Sequence, residues 1–370
     1  MKYLFALNHP SHYHLFKNSY NDLVAKGHTA HFAIRDKDIL ADLLELEKRE
    51  YVKVARERRG RGRLSIMVGG AYNIVSQGLS LLKLVREFRP DLMIGTDYSI
   101  THTGKLCKIP SIVFNEDDYA INKLFCNLAY PFTETIISPD VCDTGRFFGK
   151  KIGYPGYQKL AYLHPEVFTP DPQIVRKYVP ETEKYFLIRL VNFNAGHDIE
   201  KKHGGITRDT LRELIYILQP YGKILISSEV GLGKEFQAFR LNADVRDIHH
   251  LMYSCSLFIA DSQSMIVEAC MLGTPSIRFN SFVGTISVLE ELEKRYRLTI
   301  GIPNNDPGRL FETSASMASD RKLAEEYSRR RNSMLAEKIN VSAFFTWFIE
   351  NYPDSKQKLI SDKRFINQFR

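Results

Sequence analysis

Residues 261–268, Asp-Ser-Gln-Ser-Met-Ile-Val-Glu, set small hydroxyl side chains one helical turn ahead of an acid, a pattern suited to holding a phosphate ester. If Ser262 and Ser264 open a helix, its first N–H groups have no partner within the helix. The helix dipole favours negative charge at that end, and the two hydroxyls add donors. Glu268 lies one turn further on, too far along to crowd a phosphate but placed to accept hydrogen bonds from a ribose. The plainer alternative is that one serine merely caps the helix and Glu268 is a solvated acid. Spacing alone leaves both open.

The flanking residues supply the elements that would position this loop. Leu257–Ala260 is a short apolar run of the kind a buried parallel strand shows. Met265, Ile266, Ala269, Cys270 and Leu272 recur at helical spacing, Gly273 stops the helix, and Ser276–Phe279 is a second apolar run. The order strand–loop–helix–strand is a βαβ unit. The stretch DSQSMIVEACMLGTPSI resembles the second-domain phosphate loop of GT-B fold enzymes. It follows the acid-Ser-Gly-Gly…Glu…Leu-Gly-x-Pro pattern of the non-hydrolysing UDP-N-acetylglucosamine 2-epimerases. It is more similar still to an uncharacterised family of GT-B-like proteins with no settled activity. The resemblance implies an α/β, GT-B-like fold of two doubly wound Rossmann-like domains facing a cleft. It also implies a nucleotide-sugar donor, a UDP-sugar first among them, with Ser262, Gln263 and Ser264 on the diphosphate and Glu268 on the ribose.

Candidate acid–base chemistry lies in the first half. The loop NHPSHYH places His9, His12 and His14 after the first strand. His12 could act as general base because an ordinary imidazole titrates near neutrality; alternatively, one histidine caps the next helix. Two histidines at i, i+2 with no third ligand at usable spacing do not make a metal site. Asp97 in IGTDYS and Glu116 in VFNEDD follow successive apolar runs, and each resembles an acid of the epimerases. Two such carboxylates can converge and push their pKa values apart, whereas Asp97 could equally cap the helix that follows it. Asp36, Asp38, Asp117 and Asp118 read as acids at helix starts.

The chain departs from the epimerases where it matters. Their Gly-His-Arg-Arg-Glu-Asn segment is replaced by VNFNAGHD, and the Gly-Gly of their phosphate loop by Gln263-Ser264. Arg189 in FLIRLV could still counter a diphosphate. Glu229 could approach the sugar, and residues 245–248, ending in Ile248, would line the base. A role for His250 is balanced by its place on a helix surface.

Apolar runs and helical patterns alternate along both halves, which predicts parallel sheets covered on both faces. The expected division is residues 1–160, 181–340, and a carboxyl-terminal helix and basic tail, 341–370, that crosses back to the first domain. The composition, 44% hydrophobic and 25% charged, is that of an ordinary globular chain. Its five cysteines form no CxxC pair and read as buried thiols of a cytoplasmic protein. MKYLFALNHP reads as a strand and a polar loop rather than a signal peptide. The net charge of +8 calls for an anionic partner. RERRGRGR, followed by the uncharged residues 64–82, suits either peripheral contact with an anionic membrane at its inner face or a buried helix beside a solvated loop. No nucleic-acid motif accompanies it. The expectation is therefore a metal-independent glycosyltransferase of surface-glycan or polysaccharide synthesis, using a UDP-sugar and a glycan or lipid-linked acceptor. A nucleotide-sugar epimerase or hydrolase of the same fold, or a non-catalytic nucleotide-sugar-binding protein, are the alternatives.

Overall fold

The computed structural model describes residues 1–36, 40–56, 63–181, 183–191, 205–228 and 231–370, with the backbone alone given at 36, 55–56 and 63–75. Two compact units share the chain: one is Met1–Val167 with Ile339–Arg370, the other Phe168–Lys338.

In the first unit the elements run β1 (Lys2–Leu7), α1 (Pro10–Ala25), β2 (Thr29–Asp36), α2 (Leu40–Leu46), β3 (Tyr51–Arg56), α3 (Arg63–Phe88) and β4 (Leu92–Gly95). Then come α4 (Tyr98–Cys107), β5 (Ser111–Phe114), α5 (Lys123–Ala129), β6 (Thr135–Pro139), β7 (Lys151–Tyr154) and α6 (Leu160–Leu163). The seven strands form one parallel sheet in the order β3-β2-β1-β4-β5-β6-β7. Its direction of growth reverses between β1 and β4. Strands covered by helices on both faces carry continuous apolar sequence, and Tyr3 to Leu7, Leu92 to Ile94 and Ile112 to Phe114 are all buried. Leu81, Leu84 and Val85 of α3 pack with Leu4, Ala33 and Met93 in one cluster.

The second unit contains α7 (Pro172–Arg176), β8 (Tyr185–Leu190), α8 (Arg208–Leu218), β9 (Lys223–Ser228), α9 (Ile248–Ser254), β10 (Leu257–Ala260) and α10 (Gln263–Leu272). It continues with β11 (Ser276–Phe279), α11 (Ser287–Glu290), β12 (Ile300–Ile302), α12 (Pro307–Ser319) and α13 (Leu323–Glu337). Its five parallel strands run β12-β11-β10-β8-β9, reversing between β8 and β10. Ser262 opens α10 and Gly273, at φ 75°, closes it in the left-handed region, which favours glycine.

The last two helices, α14 (Val341–Glu350) and α15 (Asp354–Ser361), belong to the first unit. Phe344, Phe345 and Phe348 are fully buried; Phe345 meets Phe114 of β5 at 4.7 Å between ring centroids, and Thr346 donates to Ser19 of α1.

Several expectations need correction. Asp117 and Asp118 do not open a helix: α5 starts only at Lys123. Asp118 is buried and its carboxylate accepts the Asp143 N–H at 2.8 Å, so it ties two loops together instead of opening a helix. Asp36 ends β2, and Asp38 lies outside the described residues. Residues 151–154, where no strand was expected, form β7 and extend the first sheet. The basic stretch at 57–62 lies outside the described residues; residues 64–82 belong to α3. Among the described residues no helix is long and apolar enough to cross a membrane.

Gly95 ends β4 against β1, and a Cβ there would meet the Ala6 carbonyl oxygen at 2.6 Å. Backbone cannot yield as a flexible side chain can, so Gly95→Ala is expected to cost about 1–3 kcal/mol. A urea or thermal midpoint equal to that of the wild type would refute the close approach of these two strands.

Candidate functional site

In open parallel sheets, ligands bind beyond the carboxyl ends of the strands, where the strand order reverses. Each unit has one such point.

In the first unit it lies between β1 and β4. The chain leaves β1 through Asn8 and His9. The His9 ring accepts the Ser11 N–H and so caps α1, with Pro10 at the first helical position, where a missing N–H costs nothing. His12, one turn in, accepts the Asn8 N–H at Nδ1 (3.2 Å), and the Thr96 hydroxyl sits 2.6 Å from the same nitrogen. Desolvation, helped by His9 and the Lys159 ammonium, pushes His12 down to about 3. The reason for making His12 a general base was a titration near neutrality, and desolvation of the half-buried ring removes it: at that value the ring is a weak base.

Asp97 is buried at 1% exposure. It caps α4 by accepting the Ser99 N–H at 2.7 Å, and its other oxygen accepts from Asn8 Nδ2 (2.5 Å) and Gln77 Nε2 (2.7 Å). The capping alternative is thus the observed one, and three donors from three segments hold the carboxylate in place. Glu116, after β5, is a different case. Its Oε1 accepts the Gln158 N–H at 2.9 Å and its Oε2 lies 3.3 Å from Lys159 Nζ, with side chains 13% and 10% exposed. Asp97 and Glu116 follow neighbouring strands but make separate sets of contacts.

The second point lies between β8 and β10. Asp261 accepts the Val191 N–H at 2.8 Å, donates its own N–H to Arg189 and offers its carbonyl to Asn280, so it straps three strand ends. Ser262 caps α10 by accepting the Met265 N–H at 3.3 Å. The amides of Gln263 and Ser264, at the first two helical positions, precede the first intrahelical bond and face outward from the helix end. Ser262, Gln263 and Ser264 are all partly exposed. Arg189 reaches across to Ser227 on β9 at 2.7 Å.

Glu268 is buried, and its Oε2 lies 3.4 Å from His249 Nε2 on α9. It is therefore not a solvated first-turn acid; reaching a ribose would mean sharing it with His249. Ile248, half-buried, starts α9. His250 accepts the Asp171 N–H at 2.9 Å and packs on Phe168, so it anchors the segment before α7 instead of standing on a bare helix surface. Glu229 and residues 192–198 of VNFNAGHD lie outside the described residues. Among the described residues no cluster of three His, Cys, Asp or Glu side chains is placed to hold a metal ion.

Sequence reasoning missed Asn8, Thr96, Gln77, His249 and Lys159. Only Lys159 left a signal: it is the one Lys, Arg, Asp or Glu between Lys151 and Glu166, set in an otherwise apolar run.

Comparison with known proteins places the architecture. No family model matches the chain, and no curated protein matches it. Among solved structures, the UDP-GlcNAc 2-epimerase from Methanocaldococcus jannaschii superposes with a TM-score of 0.62 at 12% identity, over 90% of this chain and 100% of that one. The glycosyltransferase SsfS6 of Streptomyces sp. SF2575, complexed with thymidine diphosphate, gives 0.59 at 12% identity, over 95% and 99%. UDP-GlcNAc 2-epimerase from Neisseria meningitidis, bound to UDP-GlcNAc, gives 0.57 at 14% identity, over 91% and 100%. The chain has the GT-B fold, two Rossmann-like α/β units in succession. Both glycosyltransferases and sugar-nucleotide epimerases share it.

The low value at His12 has a consequence for stability. An unfolded histidine keeps its ordinary value near 6.5, so between about pH 6.5 and pH 3 the unfolded chain binds the extra proton. This residue therefore removes stability as pH falls through that window, by up to about 1.4 kcal/mol per pH unit. His12→Gln, which keeps an acceptor for Asn8, is expected to narrow the difference in thermal midpoint between pH 7 and pH 4.5. An undiminished difference would show that His12 is not the desolvated neutral ring described.

Proposed function

We propose that this chain is a metal-independent enzyme that binds a nucleoside-diphosphate sugar, a UDP-sugar first among them, and transfers its sugar to a hydroxyl of a glycan or lipid-linked acceptor. The observation that carries the reading is the amino end of α10. Two amides with no partner among the described residues, a neutral capping hydroxyl at Ser262 and the Ser264 hydroxyl stand at the strand-order reversal of the second unit. Structures of the same fold with thymidine diphosphate and with UDP-GlcNAc support it. Arg189 would add positive charge, while Glu268 and residues around Ile248 would meet the ribose and base, with Glu229 near the sugar. Glu116 takes the role of base in the first unit. It would remove the acceptor proton as the acceptor oxygen bonds to the anomeric carbon. The bond from that carbon to the diphosphate then breaks, and the electron pair leaves on the phosphate oxygen, which the α10 amides stabilise. Asp97 and His12 hold the end of β1 against α4 and do not react. Such a protein would work in the cytoplasm, at or near the inner membrane face, in surface-glycan synthesis.

A second reading, epimerisation or hydrolysis of a nucleotide sugar, is favoured by one observation: Asp97 and Glu116 follow adjacent strands, as an acid–base pair would. The products separate the two, since transfer needs an acceptor and epimerisation yields an altered sugar without one.

Ser264→Asp tests the binding site itself. A carboxylate in the first turn suits the helix dipole, so the fold keeps its stability, but it repels a diphosphate. UDP is expected to raise the thermal midpoint of the wild type, and its affinity should fall at least about tenfold in the variant. Equal UDP affinity in the two proteins would remove the nucleotide from this helix end.

A further inference from the structure

We infer that Lys159, with Glu116, forms a subsite for an uncharged, hydroxyl-rich group, a sugar ring rather than a phosphate or carboxylate; this names the acceptor class and so rests on the reading just given. The ammonium of Lys159 is the starting point. The residue is 8% exposed, and among the described residues its only side-chain partner is Glu116, at 3.3 Å. An ammonium carries three donors, and a buried one left short of partners is costly. A carboxylate has about four acceptor sites, of which Glu116 has two engaged, by Lys159 and by the Gln158 N–H. The pair thus offers spare donors and spare acceptors side by side, and neighbouring hydroxyls of a sugar present the same mixture.

Two more polar groups stand in this region without partners among the described residues. Gln158, 8% exposed, has its Nε2 buried and unbonded, and the fully buried Tyr154 hydroxyl is likewise unbonded. Burial and the Glu116 charge both hold that hydroxyl well above its ordinary pKa, so it stays neutral and able to donate. Charge does not favour an anion. The carboxylates Asp97 and Glu116 at these strand ends are matched by the Lys159 ammonium and by the Arg35 guanidinium at the end of β2, beside a neutral His12, so no surplus of positive charge draws a phosphate. A neutral polyol needs no such surplus.

Methyl glycosides of glucose, galactose, mannose and N-acetylglucosamine, with glucose 6-phosphate as the anionic counterpart, test this by saturation-transfer NMR and calorimetry on the full chain. At least one neutral glycoside is expected to bind saturably in the millimolar range. Lys159→Met and Glu116→Gln should each weaken it about tenfold or more, and Lys159→Arg by less. Failure of every glycoside to bind, equal affinity in Lys159→Met, or tighter, salt-sensitive binding of glucose 6-phosphate overturns the subsite. If Lys159→Met does not fold, as judged by circular dichroism, Glu116→Gln and Lys159→Arg decide on the same terms. UDP titrated into the same samples keeps the two readings apart: a wild type that takes the glycoside but not UDP overturns the nucleotide reading and leaves the subsite standing.

Discussion

The first unit depends on a carboxylate buried where its sheet reverses direction. Asp97 receives hydrogen bonds from the α4 backbone, from Asn8 beyond β1 and from Gln77 of α3. A carboxyl group at 1% exposure is tolerated only while donors surround it, because removing one leaves a buried polar oxygen without a partner. The three segments are therefore held in mutual register. That register sets Thr96 against His12, since Thr96 precedes the acid and Asn8 bonds both Asp97 and the His12 ring.

One consequence is a division of protonation states across the strand ends. His12 loses the ability to carry charge through desolvation and through the nearby Lys159 ammonium. Glu116 sits against that same ammonium. The imidazole that looked most reactive by its ordinary chemistry is thus the group held neutral, and the acid beside the lysine is the one with a charged partner. Intrinsic side-chain chemistry gave the inventory, and burial rearranged the roles.

The fold was legible because parallel strands covered on both faces write themselves as apolar runs: Leu257–Ala260 and Ser276–Phe279 were found at their observed bounds. The second of these hides a fully buried Arg278, tolerated because Glu290 and Glu293 approach it at 3.5 and 3.3 Å. Those partners come from a later element, so nothing local to the strand announces them. For the same reason β7 was lost: four residues in a Gly- and Pro-rich context carry too weak a pattern, and only pairing with β6 makes them a strand. At the site, local grammar worked where the partner is a neighbour in sequence, as for Ser262 capping α10. It failed where the partner is distant. Gln77 is 20 residues from Asp97, and Lys159 is 43 residues from Glu116.

The two units use related devices to opposite electrostatic effect. In each, an aspartate follows the strand that flanks the first strand across the reversal: Asp97 after β4, Asp261 after β10. Asp97 turns onto its own helix and closes the amino end of α4 with a negative charge. Asp261 accepts instead from Val191, just past the end of neighbouring β8, and the capping of α10 passes to the neutral hydroxyl of Ser262. A helix end capped by a carboxylate has its partial positive charge already answered; one capped by a hydroxyl keeps it. Hence, of these two strand–helix junctions, the second is the one whose electrostatics suit a diphosphate. The first is lined by carboxylates, a neutral imidazole, the Lys159 ammonium and the Arg35 guanidinium, and its charges largely cancel.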